Sequence, residues 1–174
     1  MSVTRPVTGH ERFFEPHQLI VTKTDARGIV LYCNDICLQI AGYAEDEIVG
    51  KPHNILRHPD MPKVVFKLLW DTIQKGEEIF TYVVNCAKNG DHYWVRAQVT
   101  PTYDANNQIT GYHSTRVVPD QRIVKEVIIP LYKKLREIET SESTAAKGVM
   151  AAEAFLTKAL QDKGMDYNEW ILSL

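Results

Sequence analysis

The order of secondary-structure signals along the 174 residues predicts an α+β fold: a five-stranded antiparallel sheet, short helices and one longer helix on one face, then C-terminal α-helices. Three observations carry this expectation. Apolar and polar residues alternate through Tyr93–Thr100, an Asn89-Gly90 pair separates two β-rich runs, and the apolar spacing becomes helical between Ile36 and Ala41 and again beyond Pro119.

Leu19–Thr24 and Ile29–Cys33 read as two strands joined by a short polar loop that ends in Gly28. After Asn34, the residues Ile36, Ile40 and Ala41 lie at helical spacing with Gly42 as stop, and Tyr43–Gly50 makes a second short turn ending in glycine. From Pro62 a longer helix follows through Val65, Phe66, Leu69, Trp70 and Ile73, with Asp60 as its candidate cap and Lys75-Gly76 as its end. Ile79–Ala87 and His92–Thr102 flank the Asn-Gly turn, and Gly111–Val118 supplies the last strand after a polar turn at residues 104–107. In the second of these strands Tyr93, Val95, Ala97 and Val99 share one face, and Trp94, Arg96, Gln98 and Thr100 the other. Beyond Pro119 one apolar stripe runs from Val124 to Ile138, with Pro130 expected to kink or restart the helix. A polar joint at residues 140–144 precedes a second amphipathic helix from Val149 to Leu160, Gly164 stops it, and Tyr167, Trp170, Ile171 and Leu174 mark a short terminal helix. The resulting division is an N-terminal cap at 1–17, a core domain at 18–119 and a helical extension at 120–174.

The length and the 44% apolar content suit one ordinary core with an appendage. A net charge of −2, with Lys and Arg mixed among Asp and Glu, gives no basic stripe for nucleic acid. No run approaches the ~20 apolar residues of a membrane span, and residues 1–10 have no apolar signal-peptide core, so the expectation is a cytoplasmic protein without membrane insertion. Cys33, Cys37 and Cys86 sit among apolar neighbours and are expected to be free thiols. No nucleophile–base pair, Gly-rich phosphate loop or carboxylate pair stands out, which points away from an enzyme.

The richest stretch is Lys51-Pro-His-Asn-Ile-Leu-Arg-His-Pro-Asp-Met-Pro-Lys63, which sets His53, His58, Arg57 and Asp60 beside a helix start and near a small sheet. That arrangement suits a large, flat, phosphate-bearing ligand. Arg57 and His58 are the candidates for its phosphate or ribitol side, because Arg pairs with phosphate oxygens in a planar fork; a solvated loop with ion pairs to Asp60 is the plainer alternative. Asn85, an amide inside the run Tyr82–Ala87, needs hydrogen-bond partners if buried, and a ligand edge would supply them.

Over about residues 8–136 the chain resembles a PAS domain, and specifically the flavin-binding PAS domain of bacterial aerotaxis receptors. The likeness rests on Asn34 before Gly42-Tyr43, the run Pro52–Pro62, Trp70, Lys88–Ala97 and Pro130-Leu-Tyr-Lys133. It implies FAD in the PAS cavity, a flavin redox state that follows oxygen or respiration, and an output to swimming behaviour. Carried over position by position, it implies cofactor binding by Asn34, His53, Asp60, Phe66, Trp70 and Asn85, beside Arg57 and His58. Asn34 has an equal local alternative as a helix cap, and Trp70 an equal one as core. The family's membrane segment, linker and signalling coiled coil are not in these 174 residues, so output is expected through a separate chemoreceptor-like transducer, with a homodimer also open.

The competing readings are a ligand-free PAS dimerisation or adaptor module and a haem-binding gas sensor. No metal site is expected, because His53, His58, His92 and His113 have no ligand-like spacing. A light-driven flavin adduct is disfavoured too, since the stretch matching the photoreceptor motif holds no Cys. The expected readout is the outer sheet face, through Trp94, Arg96, Gln98 and the Tyr112–Arg116 strand, against a partner or the C-terminal helices.

Overall fold

Thr24, Asp25 and Gly28 turn the chain back on itself, and from there a computed structural model describes residues 6–174 as one five-stranded antiparallel sheet with helices on both faces. The N-terminal cap expected at 1–17 is described from residue 6 onward, and its first five residues lie outside the described part. The strands are β1 (Ile20–Asp25), β2 (Val30–Cys33), β3 (Ile79–Cys86), β4 (His92–Tyr103) and β5 (Ile109–Val117), in the spatial order β2-β1-β5-β4-β3. Pairing of β1 with β5, Ile20 opposite Arg116, brings the first hairpin beside the last one and closes the sheet's centre.

On the inner face lie α1 (Asp35–Ala41), α2 (Glu45–Ile48), a 3-10 turn (His53–Leu56) and α3 (Lys63–Ile73). Asn34 caps α1 by accepting from the Cys37 amide at 3.1 Å, and Gly42 ends it in the left-handed conformation. The turn into α1 at Asn34 carries Cys37 back over Cys33, and the two form a disulfide with Cα atoms 5.9 Å apart. The expectation of three free thiols is thereby corrected: Cys33 and Cys37 are bonded to each other, and Cys86, outside the disulfide, is buried. The cap expected at Asp60 is also corrected. Pro62 starts α3 without a side-chain cap, Asp60 instead pairs with Arg136, and the Val64 amide is taken by Glu139 at 2.8 Å.

The C-terminal extension folds onto the sheet's outer face and onto α3. A three-residue helix α4 (Gln121–Ile123) runs into a π-helical turn (Val124–Ile128) and then α5 (Ile129–Ser141). Pro130 accounts for the irregularity, since it has no N–H to give and its ring crowds the carbonyl one turn back; the widened turn accommodates this without breaking the axis. Tyr132 reaches the sheet, donating to the Tyr82 carbonyl at 2.5 Å, and its ring lies tilted against Trp94 with centroids 6.0 Å apart. The long α6 (Ala145–Lys163) returns along α5, and α7 (Tyr167–Ser173) lies against β3. There the Tyr167 hydroxyl meets Thr81 Oγ1 at 2.8 Å, and Asn168 takes the Phe80 amide at 2.8 Å while donating to the Glu78 carbonyl at 2.9 Å. Those two bonds satisfy edge groups of β3 that would otherwise invite another strand. Ile128, Leu135 and Ile171 are fully buried in the same apolar cluster as Ile20 and Val95.

Candidate functional site

Between the inner sheet face and α3 the fold leaves a cavity of about 320 Å³, within the range of small-molecule sites. Its walls are mostly apolar: Phe66, Leu69, Trp70 and Ile73 from α3 face Val83, Ala97 and Val99 of the sheet. Period-2 alternation puts Ala97 and Val99 inward, as the sequence pattern expects, and the helical spacing of Phe66, Leu69, Trp70 and Ile73 turns those side chains toward them. Trp70 stands edge-on to Tyr112 with ring centroids 5.5 Å apart. Its far ring edge is so close to Gly28 that a Cβ there would lie 3.0 Å from Cη2, and Gly28 also holds a φ of +80°.

Polar groups converge on the cavity floor. Arg116, only 4% exposed, donates from Nη2 to Thr22 Oγ1 at 3.0 Å and to His53 Nε2 at 2.7 Å. For His53 to accept at Nε2, its proton must sit on Nδ1. Burial and the adjacent guanidinium push the His53 pKa down to about 3, so this imidazole is neutral at physiological pH. Among the described residues no carboxylate pairs with Arg116, and its Nη1 makes no hydrogen bond. Two further cavity groups, Ser114 Oγ and Asn85 Nδ2, are also buried without a partner. Buried donors left unpaired cost about 1–3 kcal/mol each, more for a charged one, and native folds keep few of them. Three around one cavity point to a ligand with acceptor atoms along one edge, preferably carrying negative charge.

Three cations, Arg27, Arg57 and Lys67, also line the cavity, and Arg27 is paired with Asp25 at 3.2 Å. Arg57 lies over the Phe66 ring at 4.4 Å, and its backbone bridges to Asn85 at the edge of β3, tying the His53–Leu56 turn to the sheet. Lys67 is held by Asp71 at 2.6 Å and by Glu153 of α6 at 2.8 Å.

Of the eight residues singled out from the sequence, His53, Arg57, Phe66, Trp70 and Asn85 are brought together here. Asn34, His58 and Asp60 are not. Asn34 spends its side chain locally, accepting from the Val21 and Cys37 amides and donating to the Leu19 carbonyl, which is the capping alternative. His58 is buried behind the turn, its ring 5.6 Å from His92 and its Nδ1 accepting from the Asp60 amide at 3.1 Å. Asp60 points outward to Arg136. The sequence reading missed Thr22, Ser114 and Arg116, and it treated the Tyr112–Arg116 strand as outer surface. Alternation along β5 was the available signal, because it puts Tyr112, Ser114 and Arg116 on one face; only pairing with β1 and β4 shows that this face is the inner one. Trp94, expected on the readout face, is on the outer side but lies beneath Tyr132.

Among the described residues no cluster of three or more His, Cys, Asp or Glu is arranged to hold a metal ion, and no helix is long and apolar enough to cross a membrane.

The family model described as PAS fold matches residues 30–116. The Escherichia coli K12 aerotaxis receptor is 40% identical over 140 residues, which is 80% of this chain and 27% of the receptor. A blue-light-activated histidine kinase of Brucella canis is 22% identical over 114 residues, covering 66% of this chain and 23% of the kinase. The chain thus spans about a quarter of the length of these curated relatives. Among solved structures, the light state of the Aureochrome1 LOV photoreceptor superposes with a TM-score of 0.56 at 23% identity, covering 63% of this chain and 88% of that one. A light-oxygen-voltage domain studied with a flavin analogue gives 0.59 at 17% identity, over 67% and 89%. These two likenesses concern the fold.

Proposed function

The chain belongs to the PAS family, and on that premise we propose that it is a redox or oxygen sensor whose cavity holds the ring system of FAD and whose output is protein–protein contact. The observation that carries this reading is the set of unpaired buried donors on the cavity floor: Asn85 Nδ2, Ser114 Oγ and Arg116 Nη1. They suit the acceptor-rich edge of a flavin, and the apolar walls suit its flat body. The identity to an aerotaxis receptor and the likeness to a domain studied with a flavin analogue support the same class.

In this reading residues 18–119 are the sensing unit and residues 120–174 the output extension of a cytoplasmic protein acting on a separate chemoreceptor-like transducer, as a monomer or a homodimer. Flavin supplies reversible electron transfer that changes the charge on its polar edge. Phe66 and Trp70 enclose the ring and exclude water from it. Arg116, kept cationic beside a neutral His53, holds negative charge at that edge, and Asn85 and Ser114 orient the edge by hydrogen bonds. Arg27, Arg57 and Lys67 serve the phosphates of the FAD tail. Asn85 also places the site on the output route: β3 carries it three residues from Tyr82 and four from Thr81, the anchors of Tyr132 and Tyr167. A change in Asn85's bonding is transmitted along that strand to α5 and α7, and a few kcal/mol of difference suffices to shift a docked population.

The test is an absorption spectrum of the purified protein before and after dithionite, with the released cofactor identified by chromatography. Flavin bands that bleach on reduction, with FAD released, support the reading. FMN would revise the role given to Arg27, Arg57 and Lys67. A Soret band, or a colourless protein that FAD does not reconstitute, would overturn it in favour of haem or of a ligand-free adaptor.

A further inference from the structure

The helix that walls the cavity is held from outside the matched segment. The amide of Val64 at the N-terminus of α3 donates to Glu139 Oε1 of α5 at 2.8 Å, 75 residues away, and Pro62 before it offers no side-chain cap. Lys67 on the same helix, itself a cavity residue, is bonded to Glu153 of α6, and Asp60 just before the helix pairs with Arg136 of α5. Glu139 is held firmly in turn. Gly148 of α6 crosses α5 at that point so closely that a Cβ would lie 2.1 Å from the Glu139 carbonyl oxygen. The carboxylate also favours the charged form of Arg57 against the opposing effect of burial, which puts its field at the cavity.

From these contacts we infer that Glu139 is a positioning residue for the ligand site: by capping α3 it sets the placement of Phe66, Lys67 and Trp70, so that the cavity takes its ligand well only while the α5–α6 hairpin is docked. The inference rests on the flavin reading for the identity of the ligand, though not for the coupling itself. Coupling is reciprocal, so a ligand that needs α3 in place also strengthens docking of the hairpin. The extension is then part of the sensor, and α5 reaches two walls of the cavity, α3 through Glu139 and β3 through Tyr132.

The test uses the whole chain with three variants. E139A removes both the carboxylate and the cap. E139D keeps the charge but falls one methylene short of the Val64 amide. E139Q keeps an acceptor oxygen at full reach without the charge. FAD affinity is read from fluorescence quenching, and hydrogen exchange is followed in residues 61–73 and 129–163 with and without FAD. E139A and E139D are expected to bind FAD about fivefold more weakly, the size of one lost helix cap. E139Q is expected within about twofold of the parent, because what it preserves is the hydrogen bond. FAD should slow exchange across 129–163 in the parent and less so in E139A. Unchanged affinity in both E139A and E139D, or exchange in 129–163 indifferent to FAD, overturns the inference. If the parent binds no FAD, the flavin reading fails by itself. Exchange in residues 61–73 of the ligand-free proteins then decides the positioning role: faster in E139A and E139D but not in E139Q upholds it, and equal in all four overturns it. Should E139A fail to fold, E139D carries the same comparison.

Discussion

Arg116 donates to the Nε2 atom of His53 at 2.7 Å, a buried cation bonded to a neutral imidazole with no carboxylate in the pair. The arrangement is poor for stability, because an ion withdrawn from water is normally repaid by an opposite charge. It suits a site able to receive an anionic group, and four experiments probe the consequences of this and other contacts.

Replacing Arg116 by Met should separate folding from binding. An apolar side chain of similar volume removes the desolvated charge while leaving His53 and Thr22 without their donor, so the ligand-free variant is expected to melt within about 1 kcal/mol of the parent. FAD affinity should fall at least tenfold, about 1.4 kcal/mol, in line with losing a charge-assisted bond. Thermal melts with and without FAD check both parts; a parent-like upward shift by FAD in R116M would refute the assignment.

Stability should decline on acidification through His53. In the unfolded chain this imidazole takes its proton near its ordinary value of 6.5, and in the folded chain only near 3. The unfolded state therefore binds more protons between those two values, and the folded state loses stability as pH falls from about 6.5 toward 3, by at most about 1.4 kcal/mol per pH unit. Burial lowers the His58 pKa as well, which adds to the loss with the same sign. Urea titrations at pH 7, 6, 5 and 4 measure the slope, which should be shallower in His53→Gln.

Gly28→Ala should perturb Trp70 directly. The φ of +80° disfavours any side chain there, and the new methyl group would press on the indole at 3.0 Å. A loss of about 1–2 kcal/mol is expected from conformation and crowding together. Tryptophan fluorescence should shift in the same variant, and an unshifted spectrum with unchanged melting would count against the close approach.

Asn168→Ala should free the edge of β3. Two hydrogen bonds to the Phe80 amide and the Glu78 carbonyl are lost, at a cost of about 1–3 kcal/mol. Hydrogen exchange at Phe80 should rise well above that at the strand's centre, and protection at Phe80 equal to the parent's would show that α7 does not guard the edge.

Element types were legible in the sequence wherever a local rule decided them. Asn89-Gly90 demanded a hairpin, alternation in β4 separated Ala97 and Val99 from Trp94 and Arg96, and the spacing of Phe66, Leu69, Trp70 and Ile73 drew one helix face. Five of the eight proposed site residues reach the cavity because they lie on those elements or on the turn before α3. Asn34 and Asp60 were harder to place: Asn34 had two chemically sensible uses and the packing chose the α1 cap, while Asp60, read as a helix cap, a loop ion-pair partner or a ligand group, was given Arg136, which no local pattern offered.

By itself, then, the sequence determined which segments are strands and helices, the inner and outer sets of β4, and the family resemblance. These follow from backbone preferences and side-chain periods that act over a few residues. Tertiary structure alone decided that Arg116 and Ser114 face inward, that Cys37 meets Cys33, and that Glu139 caps a helix 75 residues upstream. The first and third of these depend on register or on packing between distant elements, where contacts a few ångströms long join residues that no local pattern connects; the disulfide spans only four residues, but it depends on how the turn at Asn34 sets α1 against the end of β2.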